Sequence, residues 1–139
     1  LETRYHATPH LQLSLSASYM DTEFLTQDIG NQGDRLPLAP RINGTLGVQY
    51  DFDLAGHAAF LRTDYSYLGG FMSDLAGALP LAESHQIWNI RAEVEVNQWS
   101  FGLYGNNLTN EDAITIGFLP TTGRRVAPRV VGVDVGYTF

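Results

Sequence analysis

The residues of this chain that could carry out chemistry are not spaced for catalysis or for metal binding. Metal-ligand spacing is absent among the four histidines, which are His6, His10, His57 and His85. Cysteine does not occur, so disulfides and thiolate metal sites are excluded. Asp64 and Ser66 could belong to a catalytic triad, but His57 precedes them by seven and nine residues. An extended strand of that length separates these groups by about 23–30 Å. We therefore expect no enzyme, no cofactor and no metal site.

Charged residues instead recur at alternate positions, which is the pattern of a β-strand with one polar face. The clearest charged positions of this kind are Arg62, Asp64, Arg91, Glu93, Glu95 and Asp134. We expect the stripe between residues 91 and 95 to pair with Arg62 and Asp64 on a neighbouring strand, or with other parts of a larger protein. Contact of this stripe with a substrate is the less favoured interpretation.

Seven segments alternate between apolar and polar residues with a period of two, and none shows a helical period. These predicted strands are residues 1–7, 11–24, 41–52, 57–69, 87–97, 99–106 and 129–139. Short turns alternate strictly with long loops, and the long loops are residues 25–40, 70–85 and 107–128. An up-and-down meander would place all the short turns at one end and all the long loops at the other. A transmembrane β-barrel has this layout.

Alternation alone also fits a soluble barrel whose apolar face points inward, but three observations favour an apolar face that meets lipid. Charges within the predicted strands lie on the polar face, except Asp21 and Glu23 at the end of one strand. A charge at mid-membrane on the other face would cost roughly 2–4 kcal/mol. Lysine, which often protects the edges of soluble sheets, is absent. Aromatic residues of the apolar face gather near the strand ends, as in membrane girdles. The predicted lipid-facing girdle residues are Tyr19, Tyr50, Phe52, Tyr65, Tyr67, Trp88, Trp99 and Phe101.

Composition agrees with this interpretation. The 139 residues are 44% hydrophobic and 12% aromatic, which excludes a disordered chain, and they form one unit of about seven strands. A formal net charge of −7 argues against binding to nucleic acid. We therefore predict an all-β fold, an antiparallel up-and-down transmembrane β-barrel segment. The six alternating charged residues would face its lumen.

The last part of the sequence also resembles a known family. Residues 99–110 read Trp-Ser-Phe-Gly-Leu-Tyr-Gly-Asn-Asn-Leu-Thr-Asn, a Gly-Arg-Arg segment follows at 123–125, and the last strand closes on Tyr137-Thr-Phe139. Residues 33–41 form a proline-containing loop end that feeds a strand. Together these features resemble the C-terminal end of the barrel of TonB-dependent outer-membrane receptors.

The resemblance implies a receptor from the outer membrane of a Gram-negative bacterium. Such a receptor is a barrel of about 22 strands filled by a plug, and it imports a scarce nutrient such as a siderophore, cobalamin or a carbohydrate. Residues 1–139 would be the C-terminal portion of the barrel, without the plug domain and the earlier strands. The TonB complex would act through an N-terminal part that this chain lacks. Because seven strands are fewer than the roughly eight of the smallest barrels, we expect an open sheet with two unpaired edges.

The resemblance also assigns roles to the chain end and to the long loops. Tyr137 and Phe139 are similar to the terminal signature that the barrel-assembly machinery reads. Loops 25–40, 70–85 and 109–127 are the expected place for recognition of a small nutrient ligand, although no residue in them identifies that ligand. Two alternatives stay open at this point: another outer-membrane barrel, such as a passive channel or an adhesin, and a soluble lipid-binding barrel.

Overall fold

The computed structural model describes residues 1–26, 31–76 and 78–139. Its main element is an antiparallel sheet of seven strands that are neighbours in almost strict chain order. The strands of this sheet are β1 (Glu2–Thr8), β2 (Leu11–Tyr19), β3 (Ile42–Leu54), β4 (His57–Leu68), β5 (His85–Val96), β6 (Trp99–Asn106) and β9 (Val130–Tyr137). The connection from β6 to β9 contains a separate two-stranded hairpin, formed by β7 (Ile114–Leu119) and β8 (Thr122–Arg125).

The sheet is open within the described part of the chain, because β1 and β9 are its two edges and are not paired with each other. The predictions of an all-β fold, seven antiparallel strands and two free edges are confirmed. The predicted loops 25–40 and 70–85 include residues 27–30 and Gly77, which lie outside the described residues.

Across residues 1–26, 31–76 and 78–139, no helix has the length and apolar composition needed to cross a membrane.

The short connections are tight turns whose sequences suit them. Between β3 and β4, Ala55 and Gly56 have φ angles of 56° and 85°, so two consecutive residues adopt the left-handed region, as in a type I′ hairpin. The carboxylate of Asp53 accepts a hydrogen bond of 2.7 Å from the Gly56 amide and closes this turn. Between β5 and β6, Asn97 takes a φ of 57°, which asparagine tolerates better than most residues.

The strand register places the apolar faces of neighbouring strands on the same side of the sheet. Leu15 faces Leu46, Leu46 faces Tyr65, and Tyr65 faces Trp88, so one row crosses four strands on a single face. A slip of one residue would move a whole strand's apolar set to the other face. The register therefore divides the sheet into one apolar and one polar face.

The main differences from the sequence-based prediction lie in β2, in β3 and in the third long connection. β2 ends at Tyr19 rather than at residue 24, because the chain beyond it leaves the sheet and Phe24 bonds with Gly33 and Asp34 of the first loop. β3 continues to Leu54 and lengthens the hairpin to β4. The third long connection contains the β7–β8 hairpin, which the prediction missed.

Buried side chains are few and small in the described part of the chain. The buried apolar residues are Ala39, Ala59, Ala82 and Ala113, and no large side chain is fully buried there. Three of these four alanines belong to the long connections and one to the sheet. The sheet therefore has no packed core of its own, whereas the long loops pack against one another.

Candidate functional site

The polar face of the sheet carries two groups of ion pairs. Arg62 holds Asp64 through two hydrogen bonds of 2.8 and 2.6 Å along strand β4. Arg91 lies 2.6 Å from Glu93 on β5 and 2.9 Å from Asp134 on β9. The second contact passes over β6, so it links an inner strand to an edge strand. The first group is neutral, whereas the second joins one arginine to two carboxylates and keeps a net negative charge.

The predicted pairing between the charged stripe of β5 and the charged pair of β4 is wrong. The register places Arg62 directly opposite Arg91, and two like charges at opposite positions repel. Each arginine consequently bonds to carboxylates elsewhere, Arg62 within its own strand and Arg91 within β5 and across to β9. Glu95 makes no ion pair with any described residue.

Glycines create the space that this polar face needs. Gly102 lies on β6 between Glu93 and Asp134, and a Cβ atom added there would come within 2.6 Å of the Asp134 carboxylate. A Cβ atom added at Gly47 would similarly lie 2.7 Å from Asp64. Polar side chains therefore lie over glycine backbone, and the polar face is more crowded than its sequence suggests.

The apolar face carries one group of aromatic residues at its long-loop end. Tyr65 and Trp88 face each other across β4 and β5, and Tyr67 follows two residues later on the same face. The Tyr65 hydroxyl donates to Gln86, and the Trp88 indole donates to the Thr63 hydroxyl at 2.6 Å. On β2, Tyr19 lies under the Arg41 guanidinium at 5.5 Å from the ring centroid. All four rings are exposed, and the polar groups of Tyr65 and Trp88 are hydrogen-bonded, which suits an interface between apolar and wet surroundings.

A second aromatic group lies at the short-turn end of the same face. The rings of Trp99 and Tyr137 lie 4.8 Å apart, and Phe139 meets Tyr137 edge-on at 5.1 Å. Phe101 lies 6.4 Å from Trp99. The remaining stacked pair of this end, at 5.9 Å, is Tyr50 and Phe52. The eight predicted girdle residues therefore all lie on one face, in two groups at opposite ends of the strands.

Hydrogen bonds join the second long loop to the third at the long-loop end of the strands. The Ser73 hydroxyl donates to the carbonyl of Pro80 at 2.6 Å and accepts the Gly117 amide of β7 at 2.8 Å. The Glu83 carboxylate accepts the Ile114 amide at 2.7 Å. These two hydrogen bonds, which the β7 backbone donates to side chains of the second loop, fix the hairpin against that loop. We call this assembly of the second loop and the β7–β8 hairpin the loop body.

Asn107 fixes the base of the third loop, and sequence reasoning recognised it only as part of a family motif. Its side chain is almost fully buried, with 3% relative exposure. The amide group donates to the carbonyls of Glu111 and Ala127 at 2.9 and 2.8 Å, and its oxygen accepts the Glu111 amide at 2.8 Å. The two ends of the loop are thereby tied to one side chain.

An ion pair holds the base of the hairpin. Arg125 on β8 lies 2.5 Å from Asp112, just before β7. The hydrogen bond from Arg125 lowers the pKa of Asp112 below its ordinary value of 3.8. In the described ranges, no three His, Cys, Asp or Glu side chains are grouped closely enough to hold a metal ion.

The comparison with known families agrees with this architecture. The family model described as "TonB dependent receptor-like, beta-barrel" matches residues 1–108. The chain belongs to the TonB-dependent receptor family. The predicted family and the predicted barrel-segment fold are both confirmed. Proteins with this barrel reside in the outer membrane of Gram-negative bacteria, and they are transporters rather than enzymes.

Solved TonB-dependent receptors share the fold. The ferric yersiniabactin uptake receptor FyuA from Yersinia pestis matches with a TM-score of 0.84 and 18% identity, over 96% of this chain and 22% of that one. The siderophore receptor PiuA from Acinetobacter baumannii gives 0.80 and 17%, over 96% and 20%. BauA, the ferric preacinetobactin receptor of the same species, gives 0.72 and 20%, over 98% and 21%. The chain thus spans about a fifth of the length of these receptors.

Proposed function

We propose that residues 1–139 form the C-terminal portion of the barrel of a TonB-dependent receptor that imports a scarce nutrient across the outer membrane. Family membership supports the general activity. Among siderophores, cobalamin and carbohydrates, the proposal favours a siderophore, because the three compared structures are all described as receptors for siderophores. The TonB complex would supply energy through an N-terminal part of the whole receptor.

The observation that carries this proposal is the division of the sheet into two unlike faces. The apolar face has no protein cover in the described structure, and its two aromatic groups lie at opposite strand ends. From Leu11 to Tyr19 the strand rises about 26 Å at roughly 3.3 Å per residue, which is close to the apolar band of about 25 Å in such barrels. We infer that outer-membrane lipid covers this face between the two aromatic groups.

The polar face is then the lumen wall. Its proposed lumen-facing charged residues are Arg62, Asp64, Arg91, Glu93, Glu95 and Asp134. The ion pairs among five of them support this assignment, since a polar interior is usual in large outer-membrane barrels. The proposed ligand contacts lie in the long loops, above this wall.

Strand β9 ends at Tyr137, two residues before Phe139, and is an edge of the described sheet. We propose that the rings of Tyr137 and Phe139 are the part that the barrel-assembly machinery recognises. The change Phe139→Asp in the full-length receptor should lower the amount of folded protein in the outer membrane without reducing its synthesis. Thr138→Asp, one residue away, is the matched control and should assemble normally. Equal assembly of the two variants would contradict this role.

Uptake measurements test the proposed activity. Cells that lack the receptor gene are compared with wild-type cells for uptake of labelled ferric siderophores, cobalamin and maltodextrins, each with and without an uncoupler. We expect loss of one energy-dependent activity, for a ferric siderophore. Uptake that depends on the gene but survives the uncoupler would indicate a passive channel, and unchanged uptake of every cargo would overturn the proposal.

A further inference from the structure

A pocket of about 420 Å³ lies between the first and second long loops. That volume falls in the range of roughly 300–1,000 Å³ typical of small-molecule sites. Its walls are mainly apolar and include Leu36, Ala39, Phe71, Met72 and Leu81, with Arg35 as the single charged lining residue. The pocket lies outside the sheet, so neither the ion pairs of the polar face nor the aromatic groups account for it.

Backbone contacts hold the two loops together around this pocket. The Leu38 amide donates to the carbonyl of Met72 at 2.8 Å and joins the first loop to the second. Phe71 and Ala82 form an antiparallel bridge, with hydrogen bonds of 3.1 and 2.9 Å. Ala82 is 2% exposed. The walls are therefore fixed before any ligand enters, which lowers the entropic cost of binding.

Arg35 is the unusual member of the lining. Its Nε and Nη2 atoms are buried and have no hydrogen-bond partner among the described residues. Buried polar groups in proteins are nearly always hydrogen-bonded, and leaving a charged donor unsatisfied is costly. A guanidinium group with buried free donors fits an oxygen-bearing anion, which it can bind through two parallel hydrogen bonds.

Nearby carboxylates on the same loops make their own hydrogen bonds. Asp34 accepts a hydrogen bond from the Asn31 side chain at 2.9 Å. Asp74 accepts the amides of Ala78 and Leu79, each at 3.1 Å. Glu83 accepts the Ile114 amide of β7. None of these three groups is a hydrogen-bond partner of Arg35, so no described carboxylate of the two loops satisfies its guanidinium group.

We propose that this pocket binds an apolar group that carries an anionic oxygen substituent, a carboxylate or a phenolate, with Arg35 holding the anion. The inference rests on the proposed function in one respect: the bound group would belong to the imported nutrient. A ligand of this chemistry has an anion that a neutral carbohydrate lacks. Arg35 is then a specificity-determining residue in the first loop.

The test uses two probes of nearly equal size and shape, benzoate and its neutral analogue benzamide. The full-length receptor is prepared in lipid nanodiscs with ¹³C-methyl methionine, and methyl resonances are followed during titration. Met72 lines the pocket, whereas Met20 does not; both signals are assigned by Met→Leu variants. We expect benzoate to shift the Met72 methyl, with an affinity at least about 10-fold higher than that of benzamide, and to leave the Met20 methyl unchanged.

Variants of Arg35 show whether the guanidinium causes the preference. Arg35→Gln should remove the preference for benzoate over benzamide, and Arg35→Lys should keep part of it, because lysine retains the charge but not the planar pair of donors. An unchanged Met20 signal confirms that each variant is folded. If Arg35→Gln does not fold, the wild-type comparison of the two probes still decides.

The proposal is overturned if neither probe shifts the Met72 methyl, if both do so with equal affinity, or if the preference survives in Arg35→Gln. Binding in nanodiscs needs neither the TonB complex nor energy. A benzoate preference at Met72 without any nutrient uptake by cells would therefore refute the proposed function and leave the anion site standing. Uptake of a siderophore by cells, without a preference for benzoate at Met72, would refute the anion site and leave the proposed function standing.

Discussion

The two faces of the seven-stranded sheet differ in how far their side chains find partners within the protein. On the polar face, Arg62 and Arg91 lie within 2.9 Å of carboxylates, and glycines give these groups room. On the apolar face, Leu46 and Leu103 are 48% and 61% exposed, and no other part of the described protein covers them. The polar face is largely complete within the protein, and the apolar face is not.

In a soluble sheet the apolar face would meet a packed core, and the described residues of this chain supply no such core. Here the described residues bury only small side chains, and most of those belong to the loops. An apolar surface of this extent needs an apolar solvent, which in an outer-membrane protein is lipid. The family match, to a receptor-like barrel of the outer membrane, does not agree with the alternative of a soluble lipid-binding barrel.

The largest expected effect on stability comes from a charge placed on the apolar face. Leu46→Arg in the full-length receptor should lower the free energy of unfolding in lipid vesicles by about 2–4 kcal/mol, because the guanidinium would face the membrane interior. Thr45→Arg, one residue earlier on the polar face, should change it by less than about 1 kcal/mol. Similar losses for the two variants would show that the faces do not differ in this way.

A smaller effect is expected from crowding the polar face. Gly102→Val would drive a side chain into Asp134 and separate it from Arg91, with an expected loss of about 1–3 kcal/mol in unfolding free energy. Leu103→Val, on the apolar face of the same strand, removes one methylene and should cost about 1 kcal/mol or less. A harmless Gly102→Val would mean that the polar face is looser than its contacts indicate.

The ion pair between β5 and β9 should contribute only modestly. The side chains of Arg91 and Asp134 are 41% and 37% exposed, so solvent screens them. A double-mutant cycle with alanine at both positions should give a small favourable coupling, as exposed ion pairs do. The same cycle with Arg91 and Glu95, which are not paired, should give none. Equal couplings in the two cycles would contradict the observed pairing.

The smallest expected effect is a pH dependence confined to the loop body. Because Arg125 lowers the pKa of Asp112, the ion pair stabilises the hairpin at neutral pH and is lost only as the pH falls below the ordinary value of 3.8. Amide hydrogen exchange in β7 and β8 should therefore rise, beyond its intrinsic pH dependence, only below that pH. Asp112→Asn should abolish this acid response. A transition near pH 6 would point to a different group.

The division into two faces could be predicted from the sequence because strand periodicity is a local property. For each residue from Leu11 to Tyr19, its odd or even position along the strand determines which face of the sheet it lies on. The alternation of short turns and long loops predicts the order of the strands. Residues that act across the fold could not be read in this way. Arg91 and Asp134 are 43 positions apart, and their contact depends on a register that period two does not specify.

The loop body was hidden from the sequence for a related reason. β7 alternates as Ile114, Ile116 and Phe118, but its pairing with β8 is interrupted by register shifts, and its position depends on Ser73 in another loop. Arg35 could not be singled out from the sequence, because the burial of its guanidinium atoms depends on how the first two loops pack. The structure shows that two guanidinium nitrogens of Arg35 are buried without a hydrogen-bond partner among the described residues, and this indicates a candidate anion site.

Quenching of tryptophan fluorescence tests the lipid-facing role of the apolar face most directly. Full-length receptors that retain either Trp88 or Trp99 alone are placed in bilayers of brominated lipid, with a single tryptophan introduced by Phe60→Trp on the polar face as the reference. Trp88 and Trp99 should both be quenched strongly, and more by bromine near the headgroups than by bromine at the bilayer centre, while the reference should be quenched weakly. Weak quenching of Trp88 and Trp99, equal to that of the reference, would contradict an apolar face that meets lipid.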